Sequence, residues 1–342
     1  MRMKGISDSR VCKNHTIKQL ILSCVLILSV ASQGFAYGGE GHRAIAKAAE
    51  GFLDMKGRAG VQKVLGSTDL ASIATWPDDL KQAARGKGPL VNDQEAMKFN
   101  HDFPKNGSWH FVNLPLGMQA YTDNGPFSDA NDIVHAINGC IKILEGTSTV
   151  PNFSKLQALR FLVHLVGDIH QPLHVGTGYF RFDALDHPTL ITDPDAALGM
   201  INDVGGNDLF FSSSQELHAF WDTGLVEKLS GSDFQQLASF LSSKINQSWM
   251  NSHPADWKTS GDYHGWPERW ATDSVHAANE VYSGVTFGEA TFDTHHRLRS
   301  VAINLTPNVQ GYASAHMDRE TVQMVEASYH LAVLLNSIKW KV

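Results

Sequence analysis

The chain has 342 residues, 42% hydrophobic and 18% charged, with a formal net charge of −7. That composition describes a globular chain long enough to bury a full core. Its acidity argues against a protein that grips long duplex DNA with a basic stripe.

The first 36 residues read as an export signal. Arg2, Lys4, Arg10, Lys13 and Lys18 form a basic start, Leu20–Ala31 is an apolar run of twelve, and Gly34-Phe35-Ala36 is a small-x-small cleavage site. The run is short for a membrane-spanning helix. Cys24 sits inside it with little apolar sequence before it, which argues against a lipid-attachment site. Cleavage makes Tyr37 the new N-terminus and leaves residues 37–342 as one soluble, exported domain without a membrane anchor, either secreted or periplasmic. Removing five basic residues and one acid takes the net charge from −7 to −11. Cys12 and Cys24 leave with the signal, so Cys140 remains alone and no internal disulfide is expected.

Gly38–His42 leads into an amphipathic helix over Arg43–Leu53, with Ile45, Ala46, Ala49, Phe52 and Leu53 inward. Asp78 follows Trp76-Pro77, where an N-cap is the ordinary role for an Asp. Trp109–Leu114 alternates as a short extended segment, and His110 and Asn113 among Trp and Phe fit either an edge strand or a lined pocket. A helix is expected over Asp129–Gly146, with Cys140 in its buried stripe.

The next helix, Ser154–Ile169, carries the most informative stretch of the chain. His164 and Asp168 are four residues apart and share a face, Pro172 ends the helix, and His174 returns two residues later. Buried His and Asp are costly unless paired, so this is either a satisfied core pair or a set of metal ligands. Thr177–Val204 reads as a loop, followed by a turn at Gly205-Gly206. A helix over Gln215–Ser230 repeats the four-residue spacing in His218 and Asp222. Two such helices can present ligands to a shared core. Gly265–Tyr282 and Arg319–Ser337 complete a mostly helical chain, and His276 and His330 are expected in the core or behind ligands.

Taken together, His42, Asp78, His110, His164, Asp168, His174, His218 and Asp222 supply nitrogen and oxygen donors without thiolate. That set suits Zn²⁺ ahead of Mn²⁺ or Fe²⁺, and eight side chains exceed one tetrahedral site. The order Gly-His, Trp-Pro-Asp, Trp-His-Phe, His-x3-Asp-x5-His, Gly-Gly-Asn-Asp and Leu-His-x2-Trp-Asp resembles the P-one/S-one family of zinc-dependent single-strand nucleases, from Tyr37 to about Gly224.

The resemblance implies an all-α single domain of the phospholipase C/P-one nuclease type, with long loops around a trinuclear metal cleft. It implies three zinc ions: one held by Asp78, His110, His164 and Asp168, one by His174, His218 and Asp222, and one by His42, Asp168 and the amino nitrogen and carbonyl oxygen of Tyr37. Asp168 bridges two of them. It assigns Asp78 and Lys81 to catalysis and Phe111, Asn113 and Asn207 to substrate. The expected activity is hydrolysis of single-stranded RNA and DNA to 5′-phosphorylated products, with 3′-nucleotidase activity as a further expectation, by a monomer with no stable protein partner.

The chain departs from the family in Tyr37 for the usual Trp, Lys81 for Arg, and Asn113 for the Asp of fungal members, which leaves base preference open. Tyr179 or Phe180 offers a second stacking platform in this reading. Two rivals remain: a zinc phospholipase C acting on lipid headgroups, and a periplasmic zinc-binding protein without catalysis.

Overall fold

A computed structural model describes residues 37–231, 233–253 and 255–341; the expected leader, residues 1–36, lies outside them. The fold is mostly helical. Its principal helices are α1 (Gly38–Glu50), α2 (Met55–Leu65), α3 (Trp76–Ala84), α4 (Gln94–Asp102), α5 (Ile133–Glu145), α6 (Lys155–His170), α7 (Phe234–Lys244), α8 (Trp266–Ser283) and α9 (Val309–Ser337). A further helical stretch at 217–230 contains a π-helical turn, Phe220–Leu225. No helix among the described residues is long and apolar enough to cross a membrane.

Helix α6 is the axis of the molecule. Ser154 and Gln157 close a reciprocal capping box at its start, and Gln171-Pro172 stops it. Every residue from Phe161 to His170 is buried, because α1, α3, α5, α8 and α9 all pack against it. Its outer half presents Phe161 to an aromatic cluster, with ring centroids 5.6 Å from Trp76, 5.4 Å from Phe99, 5.0 Å from Trp109 and 5.9 Å from Phe153. Helix α5 starts at Ile133 rather than near Asp129, because the Asp132 carboxylate accepts the N–H of His135 and caps it. Cys140 lies in the buried stripe of that helix, as its spacing predicts.

Four expectations from the sequence need correction. The stretch 177–204 is not a loop: β1 (Tyr179–Phe182) pairs antiparallel with β2 (Pro188–Ile191) and β3 (Ile201–Asn202), Tyr179 facing Ile191 and Asn202, with one helical turn at Pro194–Ala197 between β2 and β3. Pro188 escapes the usual ban on proline by opening an edge strand. Around His110 the chain forms a 3-10 turn, Asn106–His110, and becomes extended only after it. Helix α9 begins ten residues before Arg319, capped by Asn308. His276 is exposed and faces the Gln119 carbonyl, so it is not a core residue, whereas His330 is buried against His170.

A second small sheet has the order β5 (Gln215–Glu216), β4 (Leu209–Ser212), β7 (Leu298–Leu305), β6 (Val285–Phe292). Strand β4 runs parallel to β7, and the other pairs are antiparallel. The alternating Val301, Ile303 and Leu305 bury one face of β7, a period-two signal that the sequence does contain.

Truncating Phe161 removes a fully buried ring from the aromatic cluster on α6. The expected cost of Phe161→Ala is about 3–5 kcal/mol, read as a fall in the midpoint of urea unfolding. A cost below about 1 kcal/mol would show that the cluster collapses onto the gap instead.

Candidate metal centre

Helix α6 delivers His164 and Asp168 one turn apart, both fully buried. Three other elements meet them. Helix α1 brings His42, whose Nε2 lies 3.2 Å from Asp168 Oδ1. The 3-10 turn brings His110, whose Nδ1 lies 2.9 Å from Asp168 Oδ2 and 3.1 Å from His164 Nε2. Helix α3 brings Asp78, with Oδ1 3.6 Å from His164 Nε2 and 3.7 Å from His110 Nδ1. Asp78 does not cap its helix. It is the third helical residue, after Pro77 in the first turn, and its carboxylate is buried against the histidines. Helices α1 and α6 meet this closely because residue 167 is glycine; a Cβ there would stand 2.8 Å from His42 Nδ1.

The second group adjoins the first. Pro172 starts a 3-10 turn that returns His174 to the site, with Nδ1 4.0 Å from Asp168 Oδ1 and Nε2 4.0 Å from Asp222 Oδ1. His218 Nε2 lies 3.2 Å from Asp222 Oδ2, and Asp222 belongs to the π-helical turn, a form that occurs often at functional sites. Gly205 takes φ +62° and its Cβ position lies 2.1 Å from the Leu173 carbonyl oxygen, so only glycine brings this turn beneath His218.

Three of the histidines are held by backbone. The Nδ1 atoms of His164, His174 and His218 face the carbonyl oxygens of Ala74 (2.8 Å), His110 (2.7 Å) and Gly205 (2.7 Å). Donation from Nδ1 places the remaining lone pair on Nε2, aimed inward, which is the arrangement a metal ligand needs. Gln171, which sequence reasoning passed over, steers a fourth ligand candidate. Its Nε2 donates to Asp222 Oδ1 while its Oε1 accepts the N–H of Leu173. Its position at the C-cap of α6, directly before Pro172, was the available signal.

Many polar atoms of the cluster are left unsatisfied by the protein itself. His42 Nδ1 and Nε2, His110 Nε2, Asp168 Oδ1, His174 Nε2 and Asp222 Oδ2 are buried without a hydrogen-bond partner, a costly state for polar atoms. Donor atoms lie within 4.8 Å of one another in three sets: His42, Asp78 and His164; His110, His164 and Asp168; His174, His218 and Asp222. These nitrogen and oxygen donors fit divalent cations of the zinc class.

Electrostatics agree with that fit. Burial pulls His42 down to about 4 and His110 down to about 3, and it pushes Asp78 up to about 7. Burial opposes charge on His164 too, but the Asp168 and Asp78 carboxylates outweigh it and raise His164 to about 9. Asp168 is held well below the carboxylate range, because His164 and His174 overcome the burial that opposes its charge. A buried cluster arranged in this way holds protons where a cation would otherwise stand.

The expected substrate residues border the cluster. Lys81 is half-buried one turn after Asp78, and its charge acts on both Asp78 and His110. Phe111 follows His110 directly and is half-buried. Asn113 Oδ1 accepts the Thr177 hydroxyl at 3.1 Å, and its backbone carbonyl accepts the Tyr179 hydroxyl at 3.0 Å. Asn207 donates to the Val204 carbonyl at 2.7 Å in the turn that carries Gly205. Tyr179 and Phe180 are not open platforms. Phe180 is buried against Phe287, and Tyr179 is buried against Phe127. The two rings point to opposite faces of β1, and each face is covered, Phe180 by Leu116, Leu173 and Phe287 and Tyr179 by Ile191, Ala197 and Phe127. Cys140 is remote in role, a buried thiol pushed far up by desolvation.

Comparison with known proteins gives a consistent set of relatives. A profile of the S1/P1 Nuclease family matches residues 37–339. Nuclease P1 of Penicillium citrinum is 26% identical over 322 residues, covering 88% of this chain and 97% of the relative. Nuclease S1 of Aspergillus oryzae is 27% identical over 248 residues, covering 67% and 70%. Endonuclease 5 of Arabidopsis thaliana is 23% identical over 299 residues, covering 80% and 87%.

Two outcomes follow from the geometry. A cation bound beside His164 must displace the proton held there below about pH 9, so zinc affinity should fall as pH falls from 8 to 6, with proton release measurable by calorimetry in buffers of different ionisation heat. An affinity independent of pH would remove His164 from the site. Gln171→Ala should weaken zinc binding by about 10–100-fold by freeing Asp222, measured by competition with a chromogenic chelator.

Proposed function

This chain belongs to the S1/P1 nuclease family, and from that we propose that it is an exported zinc-dependent endonuclease acting on single-stranded RNA and DNA. Membership makes it a nuclease, a phosphodiester hydrolase whose substrate is nucleic acid. The finer reading rests on one observation above the others: the buried, partnerless donor atoms gathered on both sides of Asp168.

In this reading three zinc ions are held. Asp78, His110, His164 and Asp168 take one; His174, His218 and Asp222 take another; His42, Asp168 and the amino nitrogen and carbonyl oxygen of Tyr37 take the third. The two oxygens of Asp168 already divide between His42 on one side and His110 with His164 on the other, which supports a bridging role. Tyr37 is fully buried, with its ring 6.4 Å from that of His42, so a chain beginning there starts inside the site. Such ions, when bound, supply Lewis acidity that lowers the pKa of water and stabilises charge on phosphoryl oxygens.

The protein's own groups complete the chemistry. Asp78 orients the attacking water for in-line displacement at phosphorus. Lys81 brings a positive charge to the phosphoryl oxygens and the departing 3′ oxygen, leaving a 5′-phosphorylated product. Phe111 provides a face on which a base stacks, which tolerates any base and needs an unpaired one. Because Thr177 occupies Asn113 Oδ1, the amide of Asn113 is left to donate, and it reads acceptor edges of the base. Asn207, already held in its turn by Val204, contacts the phosphate. The single-strand preference therefore needs no basic groove, in keeping with the acidic chain. A 3′-nucleotide satisfies the same stacking and phosphate contacts, so 3′-nucleotidase activity is part of the proposal. The protein acts as a monomer.

The decisive experiment supplies purified protein starting at Tyr37 with single-stranded RNA and DNA, duplex DNA, 3′-AMP and phosphatidylcholine, each after chelation and after zinc is restored. Release of 5′-mononucleotides from single strands, restored by zinc, is the expected result; turnover of the phospholipid alone would overturn the substrate. His164→Ala and Asp168→Ala should lose zinc and activity together, and activity lost with zinc fully retained would refute their assignment. Phe111→Ala should forfeit about 1–3 kcal/mol of stacking, appearing as a higher KM with a smaller change in kcat.

A further inference from the structure

Outside the metal centre, one carboxylate among the described residues is buried with both oxygens unpartnered: Glu320, on α9. Burial pushes its carboxyl well above the usual range, and the nearby Asp222 adds to this. A native core seldom leaves such a group alone. The donors around it are already committed. The Tyr37 hydroxyl donates to the His170 carbonyl, as does Gln323 Nε2, and the Tyr312 hydroxyl donates to the Val281 carbonyl.

The packing of α1 on α9 shows what lies opposite. The two helices run side by side in the same direction: a Cβ on Gly41 would meet Met324 Cε at 3.5 Å, and Asn336 Nδ2 donates to the Phe52 carbonyl at 3.0 Å. Glu320 is one turn before Met324, as Tyr37 is one turn before Gly41, so the carboxylate stands level with Tyr37. The phenol of Tyr37 reports the same neighbourhood: burial and then the charge of Glu320, ahead of any other charged group, push it up. The Tyr37 carbonyl accepts the Gly41 N–H at 2.9 Å with one of its two lone pairs. A carbonyl has no proton to give, so the main-chain donor that Tyr37 itself offers is its nitrogen.

We propose that Glu320 is the internal acceptor for the α-amino group of Tyr37 that removal of the leader creates, a positioning residue that couples maturation to completion of the metal centre. The proposal rests on the reading that the mature chain starts at Tyr37. In an uncut chain that nitrogen is an uncharged amide with a single N–H. Once freed, it is an ammonium that pairs with Glu320, or an amine whose lone pair serves a cation beside His42 and Asp168 while an N–H still points to the carboxylate. Glu320 then fixes the direction of the lone pair, as a carboxylate behind a histidine ligand does.

The test uses four full-length mature proteins: the chain starting at Tyr37, the same chain with one alanine placed before Tyr37, and Glu320→Gln in each. Two readouts are taken, the melting temperature of the metal-free protein and the number of zinc ions per chain by native mass spectrometry. In the chain starting at Tyr37, Glu320→Gln should lower the melting temperature and remove one zinc. In the alanine-extended chain, one zinc is already lost, and Glu320→Gln should leave the melting temperature unchanged or raise it, since it removes an uncompensated buried acid. Equal losses in both backgrounds would make Glu320 merely structural and overturn the proposal, as would no change in the chain starting at Tyr37. If the unsubstituted chain bound no zinc at all, the metal reading would fall, while the melting temperatures of the four metal-free proteins would still decide on Glu320.

Discussion

The Asp168 carboxylate is the point on which the structure depends. It is fully buried, and its two oxygens face histidines from three separate elements: His42 on α1, His110 on the 3-10 turn, and His164 on its own helix. An ionised carboxylate in such a place is expensive unless positive charge surrounds it. The surrounding histidines supply some of that charge in the metal-free protein, through His164. Divalent cations would supply more, and would also satisfy the nitrogen and oxygen atoms that the protein leaves bare.

This explains why so much of the chain is spent on holding imidazoles still. Ala74, His110 and Gly205 contribute carbonyls, Gln171 contributes an amide, and Gly167 contributes the absence of a side chain. Each acts on orientation rather than on the reaction. The rigid support lies beneath them, where α6 presents one side to the aromatic cluster around Phe161 and another to the ligand atoms. Packing on the first side fixes the geometry of the second, which is how a buried polar cluster keeps a single arrangement.

Much of the candidate site was legible in the sequence because its spacing is local. His164 and Asp168, and again His218 and Asp222, stand four apart, and a helix of almost any environment places such pairs on one face. Pro172 marks the end of α6 through a property of its own ring. Gln171 was harder to find, since its place before Pro172 is the one mark it carries and the glutamine side chain adds no chemistry to distinguish it from a surface residue. Tyr179 and Phe180 were misleading for the opposite reason. Aromatic residues near a cleft read as platforms until both faces of β1 are seen to be covered by packing from elsewhere in the chain. Strand β7 alternates plainly enough, but its pairing with β4 joins residues some ninety positions apart, and no local pattern specifies that.

The sequence by itself determined helix α6 with its break at Pro172, the paired His and Asp spacings, the donor types without thiolate, and the order of motifs that carries the family resemblance. These depend on neighbours within a turn or two. Tertiary structure alone decided which oxygen of Asp168 faces which histidine, that Asp78 turns inward instead of capping its helix, and that Glu320 is sealed without a partner level with Tyr37. Those outcomes depend on how α1, α3, α6 and α9 approach one another, and that approach is set by burial summed over the whole core rather than by any single stretch of chain.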